Sequence, residues 1–364
     1  MARPKKGSVV VLVGTRKGAF VFRSDARRKS WAVDGPHFLG CVVHNCVLDP
    51  RDNETVFAST YTEWFGADVR RTRNWGRTWQ KTRGGVRYER GSGLSVKCVW
   101  SIQPGRATEP GVVYAGVDPA GLFRSEDGGI TWAEVKGINR HATRKQWAPG
   151  AGGLIVHSIL VDPHQSRRMY VGISAAGTFR TDDGERAWKP CNKNVRADFQ
   201  PNKFPRVGQC VHRLALGGAP NLLYQQNHCG VYRSDNAGED WVDISRGLPS
   251  RFGFPIAVHP RDPRTVWVVP MKSAQYRFAP GGVLAAYRST NAGRTWQKQG
   301  TGLPARNAYV TILRQAMSVD ACDSVGVYFG TESGQIFYSR NEGREWHLMA
   351  DSLPPVLSIS AAVV

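Results

Sequence analysis

SEDGGITW, from Ser125 to Trp132, sets a hydroxyl residue first, an acid two positions on, a glycine two further on and then Thr-Trp. The same order returns as TRNWGRTW (72–79), SDNAGEDW (234–241), STNAGRTW (289–296) and SRNEGREW (339–346). Two worn copies complete the set: TDDGERAW ending at Trp188 and SDARRKSW ending at Trp31. The closing tryptophans stand 48, 53, 56, 53, 55 and 50 residues apart. Seven copies at so even a spacing mark a repeat architecture.

Each octet follows an alternating apolar run, as in VVYAGV…GLFRS, LYQQNHCGVYRS and GVYFGTESGQIFYS. Period-two alternation rich in Val, Tyr and Phe reads as strand, so the octet is the hairpin between two strands. Its acid or amide at the third position bonds local backbone. Its glycine at the fifth accepts positive φ without a Cβ clash. The closing indole is large enough to fill the gap beside the turn.

The order S-x-D-x-G-x-T-W resembles the Asp-box, or BNR, repeat. That repeat occurs in sialidases, sortilin-type receptors and bacterial proteins labelled exo-α-sialidase or BNR-repeat glycosyl hydrolase. The resemblance covers essentially the whole chain and implies an all-β fold, a seven-bladed β-propeller of four-stranded blades. It implies little about function, because in that family the hairpins lie on the face away from the active site. The expected blades span 41–82, 95–135, 153–190, 209–244, 252–299 and 307–349, after a first blade at 8–33. That first blade lacks an opening strand. PVLSISAAVV (355–364) resembles VHSILV in pattern and is expected to supply it, closing the ring and removing exposed sheet edges. Blade seven is expected to open with AYVTILRQAM.

With 364 residues the chain is long enough for one large propeller domain. No apolar run reaches the length of a membrane span, so no membrane partner is expected. The apolar run after the basic start MARPKKG is short and lacks a small-residue cleavage site, which favours a first strand over a signal peptide. Seven cysteines without a CxxC pair fit a reduced, cytoplasmic setting. The net charge of +20 is compatible with a solvated surface or with attraction to an acidic ligand or protein partner. Its arginines are scattered, and no helix-turn-helix or aromatic RNA-binding motif occurs, which argues against specific nucleic-acid recognition.

Chemistry in a propeller belongs at the channel mouth, where innermost strands and the loops from second to third strands converge. Aligned on the proline that ends each first strand, His44, His157 and His212 take one slot, filled in blade six by Phe254. Blade three offers Cys98 or Trp100 there, and blade seven Val310 or Thr311. His228, after Asn227, enters from the adjacent loop of blade five. Four neutral imidazoles converging on one point suit a divalent transition metal such as zinc, iron, copper or manganese. Glu63, beside Trp64, and Glu332 occupy equivalent loops and are the candidate general bases. Asn227, Trp64, Trp100 and Arg277 are the candidate ligand contacts, and His37 and His141 lie in loops feeding the same face. The loops 140–153, 196–209 and 270–282 are long for propeller connections and read as lids or specificity elements.

Sialidases hold a carboxylate with three arginines, the first in an F/Y-R-I-P motif. No such motif occurs. Arg213 and Arg314 lie in expected innermost strands, and Arg213, next to His212, should face the other way. Three functions therefore compete: a metal enzyme acting on a small-molecule or acidic ligand, a partner-binding module, and a glycoside hydrolase. The last needs two carboxylates roughly 5–10 Å apart, drawn from Glu63, Asp118 and Glu332.

Overall fold

The alternation in VYAGVD and GLFRS becomes two strands, Val113–Asp118 and Gly121–Ser125, paired antiparallel with Leu122 opposite Gly116. Repeated around an axis, this unit builds seven four-stranded antiparallel sheets. The computed structural model describes residues 3–364. All seven cysteines are thiols. No helix among the described residues is long and apolar enough to cross a membrane.

Each octet joins the third strand of a sheet to the fourth. Ser125 Oγ donates to Asp127 Oδ1 at 2.8 Å and accepts the Gly129 amide at 2.8 Å. Asp127 in turn accepts the amides of Ile130 and Thr131. The fourth position of the octet is left-handed as well as the fifth: Ala237 and Gly238 have φ of 60° and 85°. This explains the worn copy TDDGERAW, where Gly184 takes the fourth position and Glu185 carries φ 80° at the fifth. One glycine at either site relieves half the strain. The closing indoles tie blades together: Trp241 Nε1 donates to Cys191 O at 2.9 Å and Trp296 Nε1 to Ile244 O at 2.7 Å.

The ring closes as expected. Val356–Val363 pairs antiparallel with Val9–Thr15, placing Leu12 opposite Ser360. A second link spans the same seam. In the worn octet SDARRKSW, Arg28 stands where glycine is usual and sends its side chain into blade seven. There it meets Asp320 at 3.0 Å, with both side chains almost fully buried. Asp320 also accepts the Tyr328 hydroxyl at 2.8 Å.

Blade seven departs from the expected opening. Its first strand is only Met317–Val319, and residues 308–316 are irregular. Just before it, Gln315 bridges Ser358 of the closing strand with its backbone and sends its side chain across the channel. Its Nε2 donates to His157 O of blade four at 2.7 Å, and its Oε1 accepts Trp100 Nε1 of blade three at 3.1 Å.

Neighbouring blades touch through backbone where the second strand carries glycine. A Cβ on Gly116 would overlap Val156 O of the next blade and lie 2.6 Å from Ser101 Oγ. Gly116→Ala must push two sheets apart. It is expected to lower unfolding stability by about 1–3 kcal/mol, the usual cost of overpacking, read as a fall in urea midpoint at unchanged m-value. An unchanged midpoint would mean that the blades have slack at this contact.

Candidate functional site

The slot shared by His44, His157 and His212 is a β-bulge. In blades two to five the innermost strand slips register by one residue at this point. The slips fall between Val43 and Asn45, between Val99 and Ser101, between Val156 and Ser158, and between Val211 and Arg213. The extra residues are His44, Trp100, His157 and His212, so Trp100 rather than Cys98 fills the blade-three slot. In blade six the slip takes in Phe254. A bulge leaves one residue out of the ladder and re-aims its side chain. Here it turns side chains toward the next blade and the channel.

The four histidines do not form one centre. His157 is fully buried, with Nε2 2.8 Å from Val211 O of blade five and Nδ1 3.0 Å from Ser158 Oγ. Both ring nitrogens are thus engaged by protein. His44 stacks on Trp100 with ring centroids 4.7 Å apart. Only His212 and His228 come together, and Cys210 joins them: one ligand atom from each lies within 4.8 Å of the others. His212 Nδ1 is 2.6 Å from Gly253 O, which fixes it as the protonated nitrogen and leaves Nε2 bare. His228 makes edge contacts with Phe199 and Phe252, both at 5.2 Å.

His44, Cys210, His212 and His228, but not His157, line one wall of a pocket of about 510 Å³. Its other walls are the aromatic rings of Trp100, Phe199, Phe252 and Phe254, the glycine-rich segment 148–153, and Arg16, Arg277, Arg314, Leu313 and Glu332. All three long loops contribute, through 148–153, through Phe199 and Gln200, and through Ala274 and Arg277. Leu313 and Arg314 take the place expected of Val310 or Thr311, because the detour at Gln315 shifts the blade-seven approach. Arg314 therefore precedes the strand it was assigned to.

Several expected contacts lie elsewhere. Glu63 and Trp64 sit at the exposed tip of the hairpin between Val56–Thr62 and Gly66–Thr72, outside the pocket lining, and Trp64 is 90% exposed. A tip turned to solvent has no neighbours to hold it over the channel. Asn227 is wholly buried and accepts the Cys229 amide, which makes it a turn residue. His37 pairs with Asp34 at 3.5 Å, and His141 approaches Trp188 O at 3.1 Å; neither reaches the pocket. Asp118 lies behind the pocket wall, where a Cβ on Gly153 would be 3.2 Å from its Oδ2. Arg213 is absent from the lining, in keeping with its predicted direction.

Burial sets the electrostatics. It pulls the His44 imidazole down to about 4, with Arg16 adding to the effect. Burial likewise holds His157 and His212 well below the ordinary imidazole value and lowers His228. The same loss of water raises the Cys210 thiol. In the absence of a bound ion or ligand, the cluster is therefore neutral near pH 7.

Comparison with known proteins places these features on a familiar scaffold. No protein-family profile matches the chain. The oligoxyloglucan-reducing end-specific xyloglucanase of Emericella nidulans is 25% identical over 216 residues, which cover 51% of this chain and 25% of that protein. The GH74 xyloglucanase of Xanthomonas campestris superimposes with a TM-score of 0.68 at 19% identity, covering 95% of this chain and 53% of that one. The GH74 enzyme of Niastella koreensis gives 0.60 at 17% identity, covering 95% and 54%. This chain thus spans about half of those enzymes and a quarter of the Emericella protein. A structure of YCF48 bound to D1 peptide gives a TM-score of 0.51 at 12% identity, covering 90% of this chain and 91% of that one. The chain is a seven-bladed propeller whose neighbours include GH74 xyloglucanases. No sialidase-like family assignment emerges.

His157 gives a test of the buried bulge. Unfolded, its imidazole takes up a proton near pH 6.5; folded, it stays neutral far below that. The unfolded state then binds the extra proton, so stability is lost as pH falls below about 6.5, at up to ~1.4 kcal/mol per pH unit for this one group. His157→Gln should lower stability at pH 7 and flatten the acid slope of the urea midpoint. An unchanged slope would place the acid sensitivity in other groups.

Proposed function

We propose that the pocket is the active centre of a metal-dependent hydrolase acting on a small molecule, with Cys210, His212 and His228 as the protein ligands. The observation that carries this reading is their proximity, one ligand atom from each within 4.8 Å of the others on the wall of a recessed pocket. Neutral imidazoles and a thiol suit zinc or another borderline transition ion. Ligand atoms around a tetrahedral zinc stand about 3.5 Å apart, so binding asks the three groups to close by about an ångström. The bond from His212 Nδ1 to Gly253 O fixes the ring that offers Nε2, as is usual for a metal-bound histidine. A three-ligand site leaves a coordination position open toward the pocket, and a divalent ion there would lower the pKa of bound water toward 7.

Glu332 is the only carboxylate in the lining, 4.0 Å from Arg16, and is the candidate proton acceptor. Its solitude also weighs against glycoside hydrolysis by a carboxylate pair, which needs two such groups facing one cleft. The GH74 neighbours support hydrolysis as the reaction class. Their greater length leaves their substrates outside what this one propeller offers. Capture of a peptide without turnover is the second reading. It draws on the end-to-end match to a peptide-bound propeller and on the exposed Trp64 and Phe65.

Elemental analysis of the purified chain should find close to one transition-metal ion per molecule. Cobalt-substituted protein should show a thiolate-to-metal charge-transfer band that Cys210→Ser abolishes. His228→Ala should lower metal affinity at least about tenfold, whereas His44→Ala should leave the stoichiometry unchanged. Sub-stoichiometric metal indifferent to Cys210 and His228 would sink the metal reading. Peptide capture by such protein would then favour the second.

A further inference from the structure

Arg314 is the most unusual group in the pocket. It is buried, with 8% of the residue exposed. Its Nε is buried without a hydrogen-bond partner, and no carboxylate pairs with it among the described residues. Instead the guanidinium lies against two ring faces, 5.7 Å from the Trp100 centroid and 5.4 Å from that of Phe254. Its Nη2 end borders the pocket at Gly152, where a Cβ would lie 3.5 Å away. Contrast Arg28, equally buried but satisfied by Asp320 and by backbone carbonyls.

A buried cation without a counter-charge is costly, because desolvation is not repaid. Two aromatic faces return only part of that cost. Arginine cannot shed its proton to escape. The remaining lining does not supply the missing charge. Arg16 and Arg277 add two more cations, against the single carboxylate of Glu332. A divalent ion on Cys210, His212 and His228 would make this wall more positive still.

We propose that Arg314 is the anchor for an oxyanion, and that the pocket's ligand is a small, partly planar organic anion whose carboxylate or phosphate seats on the guanidinium fork while its apolar body packs between Trp100, Phe252 and Phe254. The inference rests on this pocket being the functional site but stands without the metal. The fork matches a two-oxygen head in a bidentate manner. The pocket volume of about 510 Å³ suits a ligand of metabolite size. Glycine at 152 leaves room for the head beside Nη2, and Arg277, stacked over Phe254 at 5.7 Å, lies at the rim as a second cation.

Calorimetric titration of the 364-residue chain with benzoate, phenyl phosphate and the neutral isostere benzamide tests this. Both anions, or one of them, should bind while benzamide does not, and the preferred head group identifies the oxyanion. Arg314→Gln should weaken the bound anion about 10- to 100-fold, the loss expected for hydrogen bonds to a charged group. Arg314→Lys, which keeps the charge and bulk, should fold even if Arg314→Gln does not. It should still bind more weakly than the parent, because lysine lacks the fork. Binding should persist in protein stripped of metal with a chelator, so that a missing metal does not mimic a missing anchor. Equal binding of benzamide would overturn the proposal, as would binding indifferent to both Arg314 variants. Loss of the anion on chelation as large as in the Arg314 variants would hand the anchor to the metal. Failure of both anions to bind at 10-fold molar excess over millimolar protein would remove the oxyanion site altogether.

Discussion

One extra residue in the innermost strands of blades two to six governs this molecule. The bulge frees a side chain from the ladder, and in blades two, three and four the residue after it bonds the next blade. Ser101 Oγ donates to Val156 O, Ile102 N to Asn45 Oδ1 and Leu214 N to Ser158 Oγ. His157 and His212 reach Val211 O and Gly253 O in the same sense. The device that stitches the blades is thus also the device that furnishes the channel.

The division of labour among the bulged residues follows from what each meets. His157 faces a closed seam beneath Gln315 and is consumed by structure. His212 has one nitrogen bound in the same way, but its other edge opens beside Cys210 and His228. Trp100 and His44 stack and form part of the pocket wall. Identical backbone geometry therefore yields a pin, a candidate ligand and a wall, according to the space beyond the ring.

Most of the scaffold was legible in the sequence. The octets fixed the number of blades, and the resemblance of PVLSISAAVV to an innermost strand gave the ring closure. The shared slot of His44, His157 and His212 was also visible as an alignment. What alternation could not show was the bulge, which changes direction without changing residue type, so four rings were aimed at one point. Cys210 was hidden for a related reason: GQCVH places it two residues before His212, on a segment that leads into the strand. The detour of Gln315 and Arg314 was unreadable because AYVTILRQAM has an acceptable strand pattern. Its only local warning was a charge and an amide side by side where an interior strand offers neither a place. Glu63 and Trp64 failed because a loop position in the repeat says nothing about how far its hairpin leans over the channel.

The seam between Val9–Thr15 and Val356–Val363 has a consequence for biosynthesis. As the chain is synthesised, Val9–Thr15 is made early but lacks its axial partner until Val356–Val363 has followed it. Long-separated pairings of this kind are slow to form, and an unmatched strand is an invitation to wrong partners. The nascent protein must hold an apolar ribbon open while six further sheets are produced. Closure of the ring therefore waits on one docking event, that of Val356–Val363.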